Sequence, residues 1–453
     1  MVTRLSRERF EALAMWCRSP GSREALCDCA YFAADEERLI GATYYARAAD
    51  AFAYILLARD AHGRFQAFAN QGVFVSARAA EAAIRQVLTQ LEKGPTPGGP
   101  MRPDTRAGVD LFAKLPRAKL NPKFVNLRDS RNASAGRELL AEIGRWVIDL
   151  DGNLVRDFQT TGFDGRVWEL YLFAALTELD FGFDRTDPVP DFRLSKNGAK
   201  LFIEAVTANP TGGVEFAIDG PPPPPPEDFW AYMEHEMPQK FGSPLLSKAR
   251  KRYWERPDVA GHPFLIALAD FHAPASMVWS HTALSLYLYG VGVEVSTLED
   301  GSIFGVEKPL GDHVVGEKVV PTNFFARPDN CHVSAILFSN AGTLTKFNRM
   351  GVRAGFGDPA VTLTRQGILN DPSPGVFEGV PFKMNVEDPE YSEGWADEIE
   401  VYHNPNAAVP LDPEHFEGVT QYFLEEGGLV WRGPSPRVLA STTLSKAYNV
   451  DDD

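Results

Sequence analysis

The sequence predicts an α/β protein, α+β overall, and three observations carry that prediction. Segments with apolar residues at helical spacing alternate with short strand-like runs through the first 270 residues. One of those helices is apolar around nearly its whole circumference, and three short strands follow it directly. Beyond residue 290, Gly, Pro, Asn and Asp surround short β-type runs, which predicts a β-rich C-terminal region. At 453 residues, 44% hydrophobic and 23% charged, the chain is too long for one ordinary domain and too apolar for disorder.

The elements follow in order. Phe10, Leu13, Ala14 and Cys17 predict a helix over 4–17. Residues 39–47 and 51–59 read as strands, Asp60-Ala61-His62-Gly63 as a turn, and 64–68 as a third strand. Ala80, Ala83, Ile84, Val87 and Leu91 form one stripe of a helix over 77–93. These make an N-terminal α+β domain, residues 1–100, closed by the Pro- and Gly-rich stretch 94–103. Residues 101–160 read as a basic connecting segment and a helix over 135–147. The next unit, 161–290, holds the apolar helix 166–180, strands near 183–187, 191–195 and 200–206, and a helix over 244–255. A buried strand over 263–269 completes it. The six prolines 221–226 predict a stiff polyproline II insertion, because proline continues neither a helix nor a sheet ladder. Residues 291–453 form the β-rich region.

A formal charge of −16 argues at first against nucleic acid, but the charge is regional. Residues 1–150 carry 22 Lys/Arg against 17 Asp/Glu, whereas 151–453 carry 23 against 44. Within 102–131, eight cations, among them Lys114, Arg117, Lys119 and Lys123, face three carboxylates. A polyanion is therefore expected to enter along this side. The four cysteines match neither a disulfide framework nor a zinc signature. The N-terminus lacks the apolar core of a signal peptide, and no apolar run reaches membrane-spanning length, so a cytoplasmic protein without membrane contact is expected.

Three carboxylates need an explanation. Glu169 interrupts the apolar helix Val167-Trp168-Glu169-Leu170-Tyr171, and Glu204 interrupts Leu201-Phe202-Ile203-Glu204-Ala205-Val206, a pattern for a strand covered on both faces. A lone acid in such a place is costly unless paired, protonated or bound to a cation. Asp191, after Pro190, lies thirteen residues before Glu204, a gap filled by two short strands and an Asn197-Gly198 turn. Oxygen ligands of this kind suit a hard cation, Mg²⁺ or Mn²⁺.

Here the sequence resembles the PD-(D/E)XK nuclease superfamily, whose core is a helix, a three-stranded meander, a second helix and a further strand. Residues 166–270 follow that order, with Pro190-Asp191, Glu204 and Glu169 on the family's acidic positions. The resemblance implies a restriction-endonuclease-like mixed sheet flanked by helices, and metal-dependent phosphodiester hydrolysis of nucleic acid, DNA before RNA, in defence or DNA processing. A homodimer is an assembly compatible with it. Asp191, Glu204 and the carbonyl of Ala205 would hold the cation, with Glu169 directly or through water. The chain departs from the family at Val206, where a lysine stands that aligns the attacking water. The following helix offers Lys248, placed between Leu246 and Ala249 to point at the sheet, ahead of Lys251. Lys251 and Arg252 would join the basic segment on the phosphate backbone. The alternative is a catalytically inactive member serving as a binding or scaffold module.

Other candidates rank lower. His235 lacks the second histidine of a zinc protease motif. His272, just after the last core strand, is a candidate helper, and His403 reads as part of an Asn-Pro turn. The glycine loop 351–358, following Lys346 and Arg349, lacks the Gly-Lys-Ser/Thr ending of a nucleotide site, and no nucleophile elbow appears.

Overall fold

The computed structural model describes residues 1–92, 94, 106–116, 118–210, 227–278, 280–297, 303–315, 318–371, 373, 379–426 and 428–448. The proline run 221–226 and Arg117 lie outside the described residues. The protein is α+β with a mixed central sheet. Among the described residues no helix is long and apolar enough to cross a membrane. Cys17, Cys27, Cys29 and Cys331 are all free thiols.

The N-terminal part is a five-stranded antiparallel meander in chain order: Thr3–Leu5, Leu26–Ala34, Leu39–Ala46, Ala51–Arg59 and Phe65–Phe74. Ser6 starts the helix Arg7–Ala14 by accepting a hydrogen bond from the Arg9 N–H, and Phe10 and Leu13 pack on one sheet face with Tyr31, Ile40 and Phe65. Ser76 caps Ala77–Leu91 in the same way, and Ile84 and Leu88 pack on the other face with Phe32, Leu39 and Leu56. The strand Leu26–Ala34 is an addition to the expected elements, since its start, Leu26-Cys27-Asp28-Cys29, carries no clear β pattern.

The central sheet has eight strands. Their spatial order is Gly428–Arg432, Thr420–Glu425, Ile399–His403, Ala335–Ser339, Phe264–Asp270, Ala199–Ala208, Phe192–Lys196 and Gly182–Phe183. Ala199–Ala208 runs parallel to Phe264–Asp270, which runs parallel to Ala335–Ser339; the small meander at the other end is antiparallel. Alternation divides the core. Leu201, Ile203, Leu265 and Ala267 face the helix Phe163–Glu178, while Phe202, Phe264, Ile266 and Leu268 face the helix Met237–Ala249. The Trp168 indole N–H donates to the Ala267 carbonyl at 3.1 Å and ties the first helix to the sheet.

Two expectations about organisation change. The sheet does not stop near residue 270: four strands between Ala335 and Arg432 extend it across the expected boundary at 290/291. Residues 106–160 are more than a connector, because Leu111, Phe124, Leu139, Ile143 and Phe158 enter the same core as Phe163–Glu178. The C-terminal region also contains a helix, Leu344–Arg353, besides its separate three-stranded sheet of Val361–Leu369, Val380–Asn385 and Val438–Ala447. The helix expected over 244–255 begins earlier, at Met237, and ends at Ala249, before a short 3₁₀ turn, Tyr253–Glu255.

Candidate active site

Asn197 and Gly198, both at positive φ, make the tight turn that joins Phe192–Lys196 to Ala199–Ala208. Its register pairs Phe192 with Ile203, so the next cross-strand neighbours are Asp191 and Glu204. The ladder ends there, and the Asp191 side chain continues it. Its Oδ2 accepts the Ala205 N–H at 2.7 Å, while the Asp191 N–H makes a longer 3.4 Å contact to Glu204 Oε2. In a strand the N–H and C=O of one residue point to the same side, so the Ala205 carbonyl looks along the edge that Asp191 occupies.

Glu204 is 3% exposed and leaves the strand toward the helix Met237–Ala249. That helix supplies Lys248, whose Nζ lies 2.6 Å from Glu204 Oε1, and the turn just past its end supplies Lys251, whose Nζ lies 3.4 Å from the same oxygen. Lys248 is the closer and the less exposed of the two, as its place between Leu246 and Ala249 anticipates. Glu169 comes from the opposite side of the sheet with its side chain 24% exposed, and pairs with Arg166 one turn earlier at 2.6 Å. Arg166 also reaches Asp157 Oδ2 at 3.0 Å. Sequence reasoning missed Arg166, although its i, i+3 spacing to Glu169 was a signal for it.

The electrostatics tie the three acids together. Protein packed around its carboxyl, then the negative charges of Glu204 and Glu169, push Asp191 up to about 8. Burial also raises Glu169, against the opposing charges of Arg166 and Lys248. A carboxyl that retains a proton near neutral pH marks surplus negative charge, which a divalent cation relieves as a proton does. Asp191, Glu204 and the Ala205 carbonyl are the oxygen donors that a hard cation would use here. Among the described residues no group of three or more His, Cys, Asp or Glu side chains forms a ready ligand shell.

The basic residues divide. Lys114 and Lys119 are exposed, whereas Lys123 is paired with Asp164 at 2.7 Å and Arg252 with Glu255 at 2.5 Å. The segment is tied to the helix Leu154–Gln159. The Gln159 side-chain amide donates to the Leu111 and Ala113 carbonyls, both at 2.8 Å, and Gln159 shares a short helix with Asp157, the partner of Arg166.

The lesser candidates find structural places. His272 is buried against Asp270, with Nδ1 to Oδ1 at 2.6 Å, and the Ser280 hydroxyl donates to the other Asp270 oxygen at 2.6 Å. In register, Glu204 sits beside Ile266, so Asp270 lies about 13 Å further along the sheet, and His272 clamps a loop away from the acids. His403 is not in a turn but at a strand end, stacked on Phe423 with centroids 4.4 Å apart and bonded to Gln421. Lys346 and Arg349 are buried on Glu393, each at 2.7 Å, and do not serve the glycine loop 351–358 as phosphate ligands. No protein-family model, curated protein or solved structure matches this chain.

Proposed function

We propose that the chain is a metal-dependent nuclease of the PD-(D/E)XK type, hydrolysing phosphodiesters in nucleic acid, with its site lysine supplied by the helix Met237–Ala249. The observation that carries this reading is the Lys248 ammonium 2.6 Å from Glu204, whose cross-strand neighbour is Asp191. A bound Mg²⁺ or Mn²⁺ would supply Lewis-acid polarisation of the phosphate and of a water. Asp191, Glu204 and the Ala205 carbonyl would hold that cation. Lys248 donates a hydrogen bond to the attacking water and offsets negative charge that develops on the phosphate. Arg166, with its guanidinium among the acids, faces the same charge. Lys114 and Lys119, both exposed, would contact the phosphate backbone of the polymer.

The second reading, an inactive binding module, draws on Val206 at the family's lysine position. Against it weighs the ion pair of Lys248 with Glu204, which brings an ammonium to the acids by another route.

Incubation of the full chain with end-labelled DNA and RNA in Mg²⁺, Mn²⁺ or EDTA tests the proposal. We expect metal-dependent cleavage that falls at least about 100-fold in Asp191→Ala, Glu204→Ala and Lys248→Ala, the range seen when a positioned catalytic group is lost. Cleavage unaffected by all three substitutions rejects the site. Wild-type binding without cleavage of either polymer supports the inactive module.

A further inference from the structure

Asp191 and Glu169, but not Glu204, line a recess of about 140 Å³ that mixes charged groups, Arg166, Arg185 and four further aspartates among them, with Phe173, Phe183 and Leu150. We infer that this recess seats a single nucleobase, a pyrimidine before a purine, so that the strand being cut presents an unpaired nucleotide at the acids. This rests on the nuclease reading and adds the form of the substrate. Size is the first argument: a cavity of about 150 Å³ takes one six-membered aromatic ring, and this recess, open and mixed in polarity, has that volume. The second is chemistry. Phe183 is half-buried and packs against Phe173, with ring centroids 5.1 Å apart, and the Arg185 guanidinium lies over both rings at 5.7 and 5.3 Å, so planar groups, ring and guanidinium, border the space. Such surfaces hold bases by stacking, which every base can satisfy. The third argument is position. Asp191 and Glu169 belong to the same lining, so a base in the recess would lie beside Asp191, one of the proposed cation ligands. A base stacked in a duplex cannot enter; it must come from a single strand, a frayed end or a flipped nucleotide.

Binding in EDTA tests this without requiring cleavage. The full chain is titrated against three fluorescein-labelled 15-mers of equal charge: oligo(dT), oligo(dA) and an abasic oligomer. Oligo(dT) is expected to bind about tenfold more tightly than the abasic strand, the scale of one or two stacked bases, with oligo(dA) between them. Leu150→Trp puts a large side chain on the recess lining at a position 43% exposed and is expected to abolish the preference for dT. Equal binding of dT and abasic strands by the wild type overturns the inference, as does a dT preference that survives Leu150→Trp. If the substituted chain fails to fold, judged by circular dichroism, the wild-type comparison of dT with the abasic strand decides alone. Cleavage in Mg²⁺ with no dT preference rejects the base site and leaves the nuclease standing. A dT preference with no cleavage of any substrate does the reverse.

Discussion

Asp191 shows how one residue takes its chemistry from its neighbours. In an unfolded chain its carboxyl titrates near 3.9; in the fold, packing and the charges of Glu204 and Glu169 move it up to about 8. Between those values the folded protein holds a proton that the unfolded chain has released. Stability from this group is therefore complete below about pH 4, declines as pH rises toward 8, and stays flat above that. Asp191→Asn removes the titration. In EDTA, the wild-type melting temperature should fall across pH 4 to 8 relative to the Asn variant; parallel curves would reject the shift. The acids themselves were legible, because a carboxylate inside an apolar run stands out on hydropathy alone. Lys248 was legible from its place on an apolar helix stripe. Arg166 was not singled out, since an arginine near a helix start is an ordinary surface residue until its partners Glu169 and Asp157 are seen.

At the scale of elements, the helix Leu344–Arg353 depends on charges that come from elsewhere in the chain. Glu393, fully buried, accepts from Lys346 and Arg349 at 2.7 Å, from the Tyr391 hydroxyl at 2.5 Å, and lies 3.3 Å from Arg365. Although burial opposes its charge, these three cations hold its carboxyl well below the usual range. The group ties the helix to the strand Val361–Leu369 and, through Arg349 to Thr443, to Val438–Ala447. Glu393→Ala leaves three buried cations short of a counter-charge and should cost about 3–5 kcal/mol. A urea midpoint within error of wild type would contradict this. The sequence contains all these residues but not their pairing, as Lys346 and Glu393 are separated by 47 positions. The hairpin between Lys196 and Ala199 is the opposite case: Asn-Gly states the turn locally, and the register follows from it.

At the scale of the molecule, a single sheet joins segments that composition separates. Phe264–Asp270 is covered on one edge by Ala199–Ala208 and on the other by Ala335–Ser339, and both cores draw residues from either side of position 290. A fragment ending at Gly290 should therefore lose a strand partner along Phe264–Asp270 and expose Ile266 and Leu268; we expect it to aggregate or to lack cooperative unfolding. A monodisperse fragment that melts cooperatively would show that the C-terminal region is a separate unit. The sequence by itself determined the order of helix, meander, helix and strand, the three acids, the regional charge and the lysine on the second helix. Those are properties of local pattern: period, turn chemistry and the cost of an acid among apolar neighbours. Only the tertiary structure decided that four later strands complete the sheet, that Arg166 joins the acids and that a ring-sized recess opens beside them. Those features arise from contacts between residues distant in the chain, which no local pattern encodes.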